Sequence, residues 1–394
     1  MTTPELSARG AASLGRERWD TWPTYDAAVF GFRNYWYPVA WSGDLRRGAK
    51  PLALSLLGDR VMLLRDKDGQ VRALRDRCPH RGVPLSLGKQ EIVGTWSCIY
   101  HGWTYDLATG GMVACLTDGP DSPLVGRVRV PTYPLAERLG LIWIYMGDTQ
   151  GTVPPVEADI PGEWLEQPVT LVGRIAERAG NWRYAAENGF DEGHAKYLHR
   201  DSAWTLFRKL PAYNRASVAP SPDGHWITRI PSNVAMVAEY PVVGQWPRNK
   251  WWKRGGRGPS TSIRLPGLLR VDYGEWAHYE WYIPTVEGRH RYLQVAAKRV
   301  GGLDGLRFRL NYWLYTRWVF HGAFNDQDAA MVETMQIPPE RLYRPDVSII
   351  AWRKLCEQPR GAHESAPVFT ETVREQDVEA SEPADDRETA RRRP

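Results

Sequence analysis

Cysteine and histidine meet twice within a short stretch of the chain, as Cys78-Pro79-His80-Arg81-Gly82 and Cys98-Ile99-Tyr100-His101-Gly102-Trp103. Each block offers one thiolate and one imidazole. A structural zinc site usually groups its donors by type, Cys-x2–4-Cys and then His-x3–5-His. The interleaved order suits a [2Fe–2S] cluster with two thiolates on one iron and two imidazoles on the other, because two hairpin loops that each deliver one of each achieve that split. Exchanging thiolates for neutral imidazoles raises the potential, so such a cluster both accepts and passes on an electron. Cys115 and Cys356 have no His or Cys at ligand spacing and read as small buried hydrophobes.

A second constellation lies in Asn188-Gly189-Phe190-Asp191-Glu192-Gly193-His194-Ala195-Lys196-Tyr197-Leu198-His199. Non-haem Fe(II) centres take two His and one carboxylate on one face and leave positions open for O2 and substrate. On an ideal helix His194 and His199 are ~140° apart, so one metal can use both only where the helix ends or widens between them. Asp191 lies ~60° from His194 and can reach that ring's second nitrogen. By themselves the two histidines read as ordinary core or surface residues.

Together the two constellations decide the matter. The run Cys78 to Gly88, the block Cys98 to Trp103, and Asn188-x2-Asp191-x2-His194-x4-His199 resemble the α subunits of Rieske non-haem iron ring-hydroxylating oxygenases, over nearly the whole chain. The resemblance implies a Rieske cluster held by Cys78, His80, Cys98 and His101, and a mononuclear Fe(II) held by His194, His199 and a third ligand from a late helix. Asp328 fits that position best within Phe324-Asn325-Asp326-Gln327-Asp328, with Asp326 the alternative. It also implies that O2 is a co-substrate and that electrons come from NAD(P)H only through a reductase and a ferredoxin. Asp191 would then carry the electron from cluster to iron.

Four further segments, Phe32 to Val39, Glu187 to Asp191, Leu265 to Leu269 and Ile350 to Leu355, are similar to the branch that dihydroxylates carbazole-type heteroaromatics at an angular carbon. Members of that branch are homotrimers without a β subunit. The likeness implies that the Gly189 carbonyl meets a substrate N–H and that Leu269, Val271 and Phe324 form apolar pocket walls. Thr261, where a larger apolar residue is expected, and a short segment between Val271 and Tyr279 depart from the pattern and leave substrate identity open. Rival readings are a Rieske monooxygenase (steroid hydroxylase or O-demethylase type), a pure electron carrier, and a zinc-stabilised interaction protein.

The expected fold is α+β, an all-β Rieske domain joined to a catalytic domain whose antiparallel sheet is flanked by helices. Residues 1–29 read as an arm on the main body, 30–150 as the Rieske domain, 151–370 as the catalytic domain and 371–394 as a mobile tail. Val61 to Leu74 reads as a hairpin closed by Asp68-Gly69, Trp103 to Val113 as a second, and Leu141 to Met146 as a strand. Residues 148–168, rich in Pro, Gly and acids, read as a linker, with helix expected over 181–200 and 303–335 and strands between about 225 and 300.

The 394 residues are 42% hydrophobic and 25% charged, as in ordinary globular proteins. Nineteen Trp and eighteen Tyr fit the packing of a large β-rich core. A net charge of +5, spread among acids, leaves no nucleic-acid footprint. With neither a secretory signal nor an apolar run approaching a bilayer's thickness, a cytoplasmic protein is expected, without membrane contact. No GxGxxG or GxxxxGK[ST] element suggests direct nucleotide binding.

Overall fold

The computed structural model describes residues 21–202, 214–221, 225–233, 260–335 and 340–361. The expected tail at 371–394 and most of the arm at 1–29 lie outside the described residues. Of the arm, α1 (Pro23–Ala27) is described, and it buries Tyr25 completely.

The first half of the chain is all β. Strands β1 (Tyr35–Trp41), β2 (Leu52–Leu56), β3 (Asp59–Arg65), β4 (Val71–Arg75), β5 (Thr95–Ser97), β6 (Trp103–Asp106), β7 (Met112–Cys115), β8 (Leu135–Arg138) and β9 (Leu141–Met146) form three antiparallel sheets, ordered β1-β9-β8, β2-β3-β4 and β5-β6-β7. The β3–β4 hairpin closes at Asp68-Gly69 with Gly69 at φ 86°. That conformation costs glycine no Cβ clash. Strand β9 is buried along its whole length, so it shows a continuous apolar run instead of alternation. Met62, Leu74, Leu85, Trp96 and Tyr105 form a small core around the sulfurs of Cys78 and Cys98.

The second half is built on a seven-stranded sheet, order β10-β16-β15-β14-β13-β12-β11, from β10 (Thr170–Ala179), β11 (Asn214–Pro220), β12 (Ile227–Asn233), β13 (Ser260–Arg264), β14 (Leu268–Asp272), β15 (Ala277–Pro284) and β16 (Arg289–Lys298). Residues 148–168 are more than a linker. They contain α2 (Gly162–Leu165), whose Trp164 is fully buried against the rings of Tyr279 and Trp281. Proline and acid content marked the segment as loose, yet one anchored indole outweighs local composition.

The helix expected over 181–200 is three pieces. After α3 (Trp182–Phe190) the chain turns at Asp191, runs through α4 (Glu192–Tyr197), and tightens into a 3-10 turn over Leu198–Asp201. The helix expected over 303–335 is α5 (Gly302–Asn311), a π-helical stretch over Tyr312–Gly322, and α6 (Asn325–Thr334). Helix α7 (Val347–Cys356) packs on α3, where the fully buried Arg353 donates to both oxygens of Glu187. Cys115 and Cys356 are buried, as expected. No helix among the described residues is long and apolar enough to cross a membrane.

Candidate metal centres and their cavity

The two Cys/His blocks fold into matching loops. Cys78 N–H donates to the Val83 carbonyl and Gly82 N–H to the Cys78 carbonyl. Cys98 N–H donates to Trp103 and Gly102 N–H to Cys98 in the same way. Gly82 and Gly102 sit at φ 75° and 63°, where a side chain is strained, which is why each loop needs glycine at its fifth position. The two sulfurs are buried, while the Nδ1 atoms of His80 and His101 converge to 3.1 Å nearer the surface. Burial first, and then the neighbouring Cys78 thiol, raise the Cys98 thiol, whereas backbone groups of Tyr100 and His101 favour its thiolate.

A single zinc with bonds of 2.0–2.3 Å would draw its four donors to about 3.5 Å from one another. Among the described residues, the His/Cys/Asp/Glu group whose ligand atoms all lie within 4.8 Å of one another is His194, His199 and Asp328, and no three of Cys78, His80, Cys98 and His101 meet that limit. Sulfurs at one end and nitrogens at the other therefore fit a two-iron cluster and not one tetrahedral ion.

The second centre is assembled from three segments. Asp191 ends α3 and caps α4, accepting from the backbone N–H of Gly193 (2.8 Å) and His194 (2.7 Å). Because the α-helix gives way to a 3-10 turn between His194 and His199, both rings face one point. Their Nε2 atoms lie 3.4 and 3.0 Å from Asp328 Oδ1, with His199 fully buried. Asn188 Nδ2 donates to that same oxygen (3.1 Å), and His199 Nδ1 lies 2.9 Å from Gln327 Oε1. Burial would raise the Asp328 carboxyl, but hydrogen bonds and charge from His194 and His199 hold it well below the ordinary range. Burial opposes the charged form of His194, yet Asp191 and Asp328 raise it to about 9. Two imidazoles and a buried carboxylate at such distances fit a divalent iron.

Asp326, the alternative third ligand, points elsewhere. Its carboxylate is half-exposed and pairs with Arg174 and Arg178. Asp191 Oδ2 is 3.4 Å from His194 Nδ1, close to the ring whose second nitrogen it was expected to meet.

A pocket, part of it open to solvent, runs past His194 and Asp328, and all four expected substrate residues, Gly189, Leu269, Val271 and Phe324, line it. Phe324 stacks on His199 at 3.7 Å between centroids. At Gly189 a Cβ would lie 2.2 Å from the Tyr282 hydroxyl and 2.9 Å from Leu269. Gly189→Ala is expected to destabilise the protein by about 1–3 kcal/mol through overpacking, seen as a lower midpoint in denaturant. An unchanged midpoint would mean that Tyr282 simply swings away.

Several cavity residues were not foreseen. Strand register sets Thr261 beside Val271, Val271 beside His278, and Leu269 beside Glu280, and neighbours in register share a sheet face. His278 and Glu280 are buried, so the polar alternation along β15 that suggests a solvent face marks the cavity floor instead. Thr261 gains a reason as well. Its hydroxyl accepts from Arg229 (2.9 Å), whose other nitrogen donates to the Phe190 carbonyl at the end of α3 (2.8 Å).

Comparison with known proteins agrees with this geometry. Residues 35–134 match the Rieske [2Fe-2S] domain, and residues 145–214 and 228–362 match the homotrimeric ring hydroxylase family. The chain is 35% identical over 386 residues to the terminal oxygenase component of carbazole 1,9a-dioxygenase from a Sphingomonas species, covering 90% of this chain and 98% of that protein. It is 33% identical to the corresponding protein of Metapseudomonas resinovorans, over 86% of this chain and 93% of the relative. Among solved structures, the terminal oxygenase of carbazole 1,9a-dioxygenase from Nocardioides aromaticivorans IC177 superposes with a TM-score of 0.74 at 31% identity, covering 86% of this chain and 98% of that one. A reduced complex between oxygenase and ferredoxin of carbazole 1,9a-dioxygenase matches with a TM-score of 0.73 at 30% identity, over 88% and 94% of the two chains.

Proposed function

The chain belongs to the Rieske oxygenases with a homotrimeric ring-hydroxylase domain, oxidoreductases that incorporate O2, and from that premise we propose that it is the terminal oxygenase of a multicomponent dioxygenase. Its substrate in this reading is carbazole or a similarly shaped heteroaromatic, dihydroxylated at an angular carbon. The observation that supports it most is the cavity that joins Gly189, Leu269, Val271 and Phe324 to His194 and Asp328.

Cys78, His80, Cys98 and His101 would hold the [2Fe–2S] cluster, and His194, His199 and Asp328 the mononuclear Fe(II). When bound, these groups supply one-electron relay and the activation of O2. The protein's own part is positioning. The Gly189 carbonyl accepts a substrate N–H, while Leu269, Val271 and Phe324 hold the ring faces and keep water out. Asp191 links His194 to an incoming electron.

A trimer suits that path, because the cluster loops have their own small core and carry Ile99 and Tyr100 exposed at their tip, 62% and 54%. In that arrangement the cluster loops of one protomer serve the iron site of its neighbour, and the assembly becomes part of the active site. Reductase and ferredoxin bring electrons from NAD(P)H, in the cytoplasm, with no membrane or nucleic acid involved. Of the two basic residues beside the loops that suit an acidic ferredoxin, Lys89 is paired with Glu91 at 2.8 Å, which leaves Arg81 the better candidate.

Turnover of an aromatic panel including carbazole, with reductase, ferredoxin and NADH under 18O2, tests the reading. A diol carrying two labelled oxygens is expected. One labelled oxygen would make the protein a monooxygenase, and no product from any aromatic would refute the assignment.

A further inference from the structure

A second, smaller cavity lies beside the iron site, between α3, α6 and the sheet. Asn188 and Asn325 line it from the two helices, Tyr282 and Tyr292 from β15 and β16, and Asp328 is part of its wall. Gly189, Glu280, Asn325 and Asp328 also line the substrate cavity, so these four form the partition between the two spaces. In the other direction, Arg178 and Ala329 line both the small cavity and a surface recess that they share with Glu177, Asp326 and Glu333, all three exposed. Solvent, recess, small cavity and substrate cavity therefore follow one another, with Arg178 and Ala329 at the outer boundary and Asp328 at the inner one.

The walls decide what fills such a space. Cavities that stay empty are apolar, whereas a polar one with room for a water holds it. This one has room for at least one water, and its wall carries two amides, two phenols and the buried Glu280 carboxylate, which accepts from the Tyr282 and Tyr292 hydroxyls. At the mouth the positive charge of Arg178 meets the Asp326 carboxylate, so the pair sets no charge barrier to a proton. The reaction has a use for such a route. Adding both atoms of O2 to an aromatic ring consumes two electrons and two protons, and the electrons arrive by way of Asp191. An apolar substrate that fills its cavity drives water out of it, so the protons need another way in.

We propose that the small cavity is a hydrated inlet, entered beneath the Arg178–Asp326 pair and ending at Asp328, through which bulk water supplies the two protons of each turnover while the substrate closes the front. The balance is one aromatic substrate, one O2, two electrons from the ferredoxin and two protons from bulk water, giving one diol. Protons pass along water by exchange of hydrogen bonds, so no side chain has to change its charge. The inference rests on the oxygenase reading of the chain. It gives Ala329 a task, because a small side chain where recess and cavity meet leaves the way open.

Crystals of the trimer, with iron or without, show whether the space holds water. Ordered water is expected beside Asn188 and Asn325 in the wild type and none in Ala329→Leu, whose added carbons fill the cavity. Ala330→Trp is a second block, placed on the exposed rim of the recess where it leaves the iron ligands alone. Iron content, and the carbazole dissociation constant read by anaerobic equilibrium dialysis, are expected to stay as they are in both variants. Single turnover of the reduced enzyme with carbazole and O2 is expected to slow at least about tenfold in each, with a larger solvent isotope effect in D2O. A dry cavity in the wild-type crystal overturns the proposal. So does a blocked variant that keeps its iron and turns over at the wild-type rate, because protons would then enter through the substrate cavity. Should Ala329→Leu lose iron, Ala330→Trp decides. Absence of product from the wild type would instead sink the oxygenase reading, and the crystal water would still show whether the inlet exists.

Discussion

Asp328→Ala is expected to empty one metal centre and leave the other intact. Iron should fall from about three to about two per chain, with the absorption of the [2Fe–2S] cluster unchanged, and turnover should drop on the order of 10³-fold or more. The reason is geometric. Asp328 Oδ1 is the carboxylate oxygen within 3.0 and 3.4 Å of the two histidine Nε2 atoms. Asp326, two residues earlier on the same helix, is held by Arg174 and Arg178, so Asp326→Ala should leave the iron content as it was. Iron analysis of the two variants side by side settles which aspartate is the ligand. Full iron in the Asp328 variant, or lost iron in the Asp326 variant, would reverse the assignment.

Replacing Asp191 should separate electron delivery from metal binding. Asp191→Asn and Asp191→Ala are both expected to retain cluster and iron while turnover falls about 10–100-fold, the scale seen when a residue behind a metal ligand is lost. Two variants are needed because Asp191 has two tasks. Its oxygens accept from the Gly193 and His194 N–H groups as the cap of α4, and one of them lies 3.4 Å from His194 Nδ1. Alanine removes the cap, at a cost of about 1 kcal/mol, whereas asparagine keeps an acceptor there. Equal losses in both variants point to the carboxylate's charge and its contact with the imidazole. A loss confined to alanine would assign the effect to helix capping, and normal turnover in both would refute the electron path. Single-turnover oxidation of the reduced cluster is the direct readout.

The two Cys/His blocks were legible because all four donors lie in two short hairpin loops, where sequence spacing and spatial spacing are nearly the same thing. His194 and His199 were legible only in company. Their five-residue spacing misfits an ideal helix, and the break from α-helix to 3-10 turn that reconciles them comes from the chain's surroundings. The family pattern narrowed the third ligand to two aspartates of one segment. Long-range contacts set the two apart, since Asp328 stands beside both imidazoles while the arginines that pair with Asp326 come from β10, about 150 residues away.

The long helix expected over 303–335 hid a π-helical stretch. Hydrophobic periodicity reports that a helix exists but not how widely it is wound. His278 and Glu280 escaped notice for a related reason. Alternation along a strand tells which residues share a face, and only packing tells whether that face meets water.

Order of residues along the chain by itself determined the donor sets, the β-rich first half and the kind of chemistry, because loop-borne ligands and short hairpins depend on local interactions. Tertiary structure alone decided which aspartate joins the two histidines and what lines the cavity. Those outcomes depend on strand register and on helices brought together from distant parts of the chain, and such encounters are governed by burial, which no local pattern records.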